Sequence, residues 1–145
     1  MIVCRPAIGE REVLEEGKLD LLGGLVGDTW RMRGSARTPD RSSHPDMQLN
    51  VMNTRVISLL AQEKERWSLA GDQLLIDLDL SLDNLLAWSR LMMGTAVIEV
   101  TAQPHSGCHK FIARFGSEAL KFVNSPVGKQ LSAARPECQG PATGV

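Results

Sequence analysis

Apolar and polar residues alternate along Gln73-Leu-Leu-Ile-Asp-Leu-Asp-Leu80, so that Leu74, Ile76, Leu78 and Leu80 share one face and Asp77 and Asp79 the other. A period of two predicts a half-buried strand. Its two carboxylates read as solvated groups on the wet face, not as an acid–base pair. Met1 to Arg5 forms a shorter apolar run stopped by Pro6, and Glu10 to Glu15 another between Gly9 and Gly17. Arg90 to Met93 and Thr95 to Thr101 predict a hairpin around Gly94. Helical spacing is confined to two places. Asn53 reads as the cap of a helix that buries Val56, Ile57, Leu59 and Leu60. Near the end of the chain, Phe111, Ile112 and Phe115 form one stripe broken by Gly116, after which Ser117 opens a second helix with Leu120 and Val123 inward.

Between these elements lie two loops. Gly23-Gly24 returns the chain through Leu25-Val26 to Gly27-Asp28, where Asp28 reads as a turn residue capping its own backbone and Trp30 as a packing residue. Arg31 to Ser43 has no apolar periodicity and carries Arg31, Arg33, Arg37 and Arg41. Long loops in compact domains are often functional, and arginines in alternation can clamp a phosphate or carboxylate. A solvated basic loop explains the same pattern. Many short strands with few helices predict a mainly β, barrel-like domain.

The chain has 145 residues and 43% hydrophobic content, which suits one core and one domain. A net charge of -1 provides no basic field for nucleic acid and no polybasic segment for a membrane. Apolar runs such as Leu21 to Val26 are too short to span a bilayer, and the N-terminus lacks a signal peptide's pattern. The expected compartment is therefore the cytoplasm. Cys4, Cys108 and Cys138 are too scattered for a disulfide framework and form no CxxC pair.

The candidate chemistry converges on Cys108. The β-branched run Ala96-Val-Ile-Glu-Val-Thr101 is ended by Pro104, and Ser106 can cap a helix starting near Gly107. That places Cys108 in a first helical turn, where unpaired N–H groups favour a thiolate. His105, His109, Lys110 and Arg114 add positive charge nearby in sequence. Thiolates are nucleophiles and metal ligands, and cationic surroundings promote them. The competing reading is a buried thiol acting as a small hydrophobe. His44 stands at the boundary between a turn and the strand-like run that reaches Asn50, where turn chemistry is the plain reading.

Pro104-His-Ser-Gly-Cys-His-Lys-Phe111, with Arg114-Phe-Gly116 and Phe122-Val-Asn-Ser-Pro126, resembles the hallmark segment of the MOSC family, named for the C-terminal domain of molybdenum cofactor sulfurases. Upstream, Gly24-Leu-Val-Gly-Asp-Thr-Trp30, His44-Pro-Asp-Met-Gln-Leu-Asn-Val-Met52 and Ala70-Gly-Asp-Gln-Leu74 are similar to the small stand-alone bacterial members, in the family's order. The resemblance covers about Arg5 to Gly128. It implies a β-barrel with short helices over residues 1–130 and a Cys108 that carries sulfane sulfur or ligates molybdenum. It also implies a molybdopterin phosphate held by cations, for which His105, His109, Lys110, Arg114, Arg31, Arg33, His44 and Asn50 are the candidates. Pyridoxal phosphate would belong to a partner cysteine desulfurase that donates sulfur, since no lysine here sits in a recognisable pyridoxal phosphate motif.

Three departures accompany the resemblance. The family's chain before Ile2 is missing, and Trp88 stands where the family pattern has glycine. Residues 131–145 read as a divergent, flexible tail in place of a closing strand. An open barrel edge would seek another chain, so a homodimer is expected. The alternative function is a shortened, non-catalytic binding module of the same fold.

Overall fold

The computed structural model describes residues 1–104, 106–132 and 136–139. Its centre is a seven-stranded open sheet built from β1 (Ile2–Cys4), β2 (Glu12–Leu14), β5 (Leu49–Asn53), β6 (Leu74–Ile76), β7 (Arg90–Met93), β8 (Ala96–Pro104) and β9 (Pro136–Gln139). The spatial order is β2-β1-β6-β5-β9-β8-β7. Only β5 and β6 run parallel, with Val51 opposite Leu74 and Asn53 opposite Ile76. A separate two-stranded ribbon pairs β3 (Leu19–Asp20) with β4 (Gly24–Leu25). Helices α1 (Thr54–Ala61), α2 (His109–Asn124) and α3 (Pro126–Ser132) complete the fold.

Successive strand residues point to opposite faces, and here both faces are covered. Cys4, Val51 and Leu74 join one core cluster with Leu25, Leu80, Leu85 and Ile98. Their chain neighbours Val3, Met52 and Leu75 join a second with Val56 and Ile57 of α1 and Phe111 and Val123 of α2. The expectation of a mainly β barrel is therefore corrected. About 33% of the chain is helix against 23% strand, and the described sheet stays open between its edges β2 and β7. Helices packed along one face, over the Val3, Met52 and Leu75 cluster, make the layered arrangement the stable one.

The second correction concerns the end of the chain. Of residues 131–145, read as a tail in place of a closing strand, Pro136–Gln139 form β9 between β5 and β8, with Leu49 opposite Cys138 and Val100 opposite Cys138, while 133–135 and 140–145 lie outside the described residues. Backbone pairing on both sides holds a strand whose side-chain composition gives no strand signal. The sheet nonetheless keeps two open edges, at β2 and β7.

Local differences have local reasons. The Gln73–Leu80 strand is regular only over Leu74–Ile76, although Leu78 and Leu80 still pack on the first core. Asn53 does cap α1, its Oδ1 accepting from the Arg55 N–H at 2.7 Å while its Nδ2 donates to the Leu78 carbonyl at 2.6 Å. Leu59, expected inside, is 69% exposed. The helical stripe breaks at Gly116 as expected: within the span of α2 that glycine adopts φ 87° and ψ 168°, a region open almost only to glycine, so α2 is two helices meeting at a kink. Asp77 meets Arg55 at 2.8 Å in an exposed ion pair, as solvated carboxylates do. No described helix is long and apolar enough to cross a membrane.

Candidate functional site

The site begins with how the Cys108 turn is held. Gly107 donates its N–H to Asn124 Oδ1 at 3.2 Å. A Cβ on Gly107 would come within 2.6 Å of Leu120 Cδ1 and 3.1 Å of Val123 Cγ2, so glycine lets the turn lie against the second half of α2 without moving those side chains. Cys108 follows as the N-cap residue of α2, with φ -119° and ψ 177°, its thiol making no capping bond. The expected helix start near Gly107 is thus corrected to His109. The thiol is free and exposed, which removes the reading of Cys108 as a core hydrophobe. The kink at Gly116 divides α2, so little of the charge around this thiol can come from a long helix dipole. It comes from side chains.

Cys108 lines a cavity of about 530 Å³ together with Arg5, Arg11, Arg33, Lys110 and Arg114, and among the described residues no aspartate or glutamate lines it. Four different parts of the chain deliver these cations: the end of β1, the approach to β2, the loop after Trp30, and α2. Arg5 is already committed. Its Nε and Nη2 donate to the Asp28 carboxylate at 2.7 and 2.8 Å, its N–H adds a third bond at 3.0 Å, and its Nη1 reaches the Gly71 carbonyl at 3.0 Å. The pair is 5% and 0% exposed. Asp28 also accepts from the Trp30 N–H at 2.8 Å, so the expected turn cap exists beside the unexpected ion pair.

The other arginines keep their charge facing the cavity. Arg114 Nη1 donates to the Leu69 carbonyl at 2.8 Å, and Arg11 Nη1 to the Glu10 carbonyl. Neutral carbonyls orient a guanidinium without cancelling it. Gly71, at φ 89°, makes the approach feasible: a Cβ there would sit 3.3 Å from Arg114 Nη1 and 3.7 Å from Arg11 Nη2. Burial, and then the like charges of Arg114, Arg5 and Arg33, push Arg11 down to about 10, with Asp28 only partly offsetting them. Arg33 is lowered in the same way, by burial first and then by Arg5. Arg11 Nε is buried without a partner among the described residues. A cluster in this condition favours an anion.

A second hollow of about 170 Å³ adjoins the first, sharing Arg5, Arg33, Gly34 and Asn50 with it and adding Trp30, His44 and Met47. Asn50 is fixed by Gln73, a fully buried side chain whose Oε1 accepts from the Asn50 N–H at 2.9 Å and whose Nε2 donates to the Gln48 carbonyl at 3.0 Å. Asn50 Oδ1 is buried without a partner among the described residues. His44 Nδ1 accepts from the Asp46 N–H at 3.2 Å. It therefore serves the turn, as one of its two readings held, while also bordering the smaller hollow.

Of the residues chosen from the sequence, Cys108, Lys110, Arg114, Arg33 and Asn50 meet at the larger cavity. His44 borders the smaller one. Arg31 and His109 are exposed and line neither, and His105 lies outside the described residues. Sequence reasoning missed Arg5, Arg11 and Gly71. Arg11 stands between Glu10 and Glu12 and reads there as neutralised; only the fold turns it toward other cations. Among the described residues no three histidine, cysteine or carboxylate side chains gather to hold a metal ion. Scanned against protein-family models, the chain matches none, and searches of curated proteins and of solved structures return no significant match.

Proposed function

We propose that the protein is a MOSC-like sulfur carrier in which Cys108 accepts a sulfane sulfur as a persulfide and passes it on. The observation that carries this reading is the free, exposed thiol on the wall of a cavity lined by five cationic side chains and, among the described residues, no carboxylate. Positive surroundings stabilise both a thiolate and the persulfide anion that replaces it. In the loading step Cys108 attacks the terminal sulfur of a donor persulfide; a new S–S bond forms at Cys108, the donor's S–S bond breaks, and the donor leaves as a thiol. A pyridoxal-phosphate-dependent cysteine desulfurase is a donor of this kind, with its cofactor on the partner.

The cavity volume favours a second reading, a site for the molybdenum cofactor, because about 530 Å³ lies within the range of small-molecule and cofactor pockets. The residues fit in charge and softness. Arg11, Arg33 and Arg114 would hold the pterin phosphate, and Cys108 would be the one thiolate ligand. With no three-residue ligand cluster among the described residues, the metal would have to arrive chelated by its own cofactor. Bound, the cofactor would supply reduction of N-hydroxylated substrates, and this chain would position it and exclude competing cations.

The test loads the purified full chain with a neutral alkyl hydropersulfide and then adds cyanide. Wild type should gain one sulfur on Cys108 by mass spectrometry and release stoichiometric thiocyanate, and Cys108→Ala should do neither. Sulfur uptake that survives in Cys108→Ala would end the carrier reading. Molybdenum and pterin analysis of the same protein decides the second.

A further inference from the structure

A thiol lining a cavity this rich in cations is suited to a reaction partner that is itself an anion. Two anions that must touch repel each other, and a low-dielectric wall would make that worse unless fixed positive charges offset it. Arg11, Arg33, Lys110 and Arg114 line the same cavity as Cys108 and can do so, while Arg5 is spent on Asp28.

We propose that the cavity binds small dianionic sulfane donors of the thiosulfate class and that Cys108 takes their outer sulfur directly. The proposal rests on the carrier reading and names the substrate class for the same site. The Cys108 thiolate attacks the outer sulfur, an S–S bond forms at Cys108, the bond to the sulfonate sulfur breaks, and its electron pair leaves with sulfite. Thiosulfate and thiolate become sulfite and persulfide anion, with three negative charges before and after and no external oxidant or reductant. The arginines serve both ends of the step, since the leaving group is as anionic as the donor. Oriented guanidinium groups suit a tetrahedral oxyanion. Gly71 admits Arg11 and Arg114 to the same corner, where a side chain would separate them. The volume leaves space for an acceptor to reach the persulfide without displacing the cations.

The experiment compares two donors on the full chain, thiosulfate and a neutral alkyl hydropersulfide, reading sulfur on Cys108 by mass and sulfite and thiocyanate in solution. Wild type should load from both, and added salt should weaken only the thiosulfate reaction. Arg33→Gln and Arg11→Gln should each lower the ratio of thiosulfate to hydropersulfide loading about tenfold, the loss expected for one charged hydrogen-bonding group. Arg33→Lys should recover part of it, and Arg31→Gln, outside the cavity, should match wild type. Loading from the hydropersulfide alone overturns this proposal and leaves the carrier reading standing. Loading from neither donor overturns both. A ratio unmoved in both arginine variants removes the cations from the reaction and overturns the proposal as well.

Discussion

Asp28 is the residue on which the site's charge arrangement turns. It takes three bonds from Arg5 and one from the Trp30 N–H while fully buried. Removing one member of a buried pair leaves the other charge uncompensated, at a loss of about 3–5 kcal/mol. Asp28→Asn should show that loss in urea unfolding, whereas Arg5→Met with Asp28→Leu should lie closer to wild type. Cys4 makes a different statement. Burial, reinforced by Asp28 and Glu12, raises its thiol above the usual 9.0. The folded chain therefore keeps a proton that the unfolded chain releases, so this contribution to stability is complete below pH 9 and falls as the pH rises past it. Cys4→Ala should flatten that alkaline decline in urea melts on either side of pH 9.

At the scale of elements, Trp88 shows what a sequence pattern can and cannot convey. Trp88 stands where the family pattern has glycine, and it holds φ 72°, with its N–H donating to the Val100 carbonyl at 2.7 Å and the residue 62% exposed. The hydrogen bond and open solvent around the ring hold the backbone in a left-handed state that costs a non-glycine residue about 1–2 kcal/mol. Trp88→Gly should relieve that strain and, after glycine's greater chain entropy, gain roughly 0.5–1 kcal/mol in thermal or urea unfolding. The Asn53 cap, the β7–β8 hairpin and the Cys108 turn were legible because each is set by neighbours in sequence. The start of α2 was misplaced because Gly107 is held by Asn124, a contact that local pattern does not contain.

For the whole molecule, the decisive feature is a sheet buried on both faces and joined through β9. With β5 on one side and β8 on the other, β9 links the half of the sheet that carries β1 and β6 to the half that carries the hairpin. Proline in a central strand removes a ladder donor and costs about 3 kcal/mol or more when a backbone bond is lost with steric clash. Cys138→Pro should therefore lower the urea midpoint and separate the unfolding of the two halves when followed by tryptophan fluorescence and circular dichroism. A single undisturbed transition would show that the halves hold together without this strand.

From the sequence alone came the short strands, the capped helix, and a thiol in a glycine-bounded turn with cations nearby, since each depends on residues within a few positions of one another. The cavity itself was a matter for tertiary structure. Arg5, Arg11, Arg33 and Arg114 come from separate stretches, and Arg11 stands between two glutamates, so nothing local shows that they gather at one cavity. The same holds for β9, whose composition lacks a strand signal and whose place is set by backbone hydrogen bonding to two strands distant in sequence. Long-range pairing and the convergence of like charges are properties of the packed chain, because the free energy that holds them is supplied elsewhere in the fold.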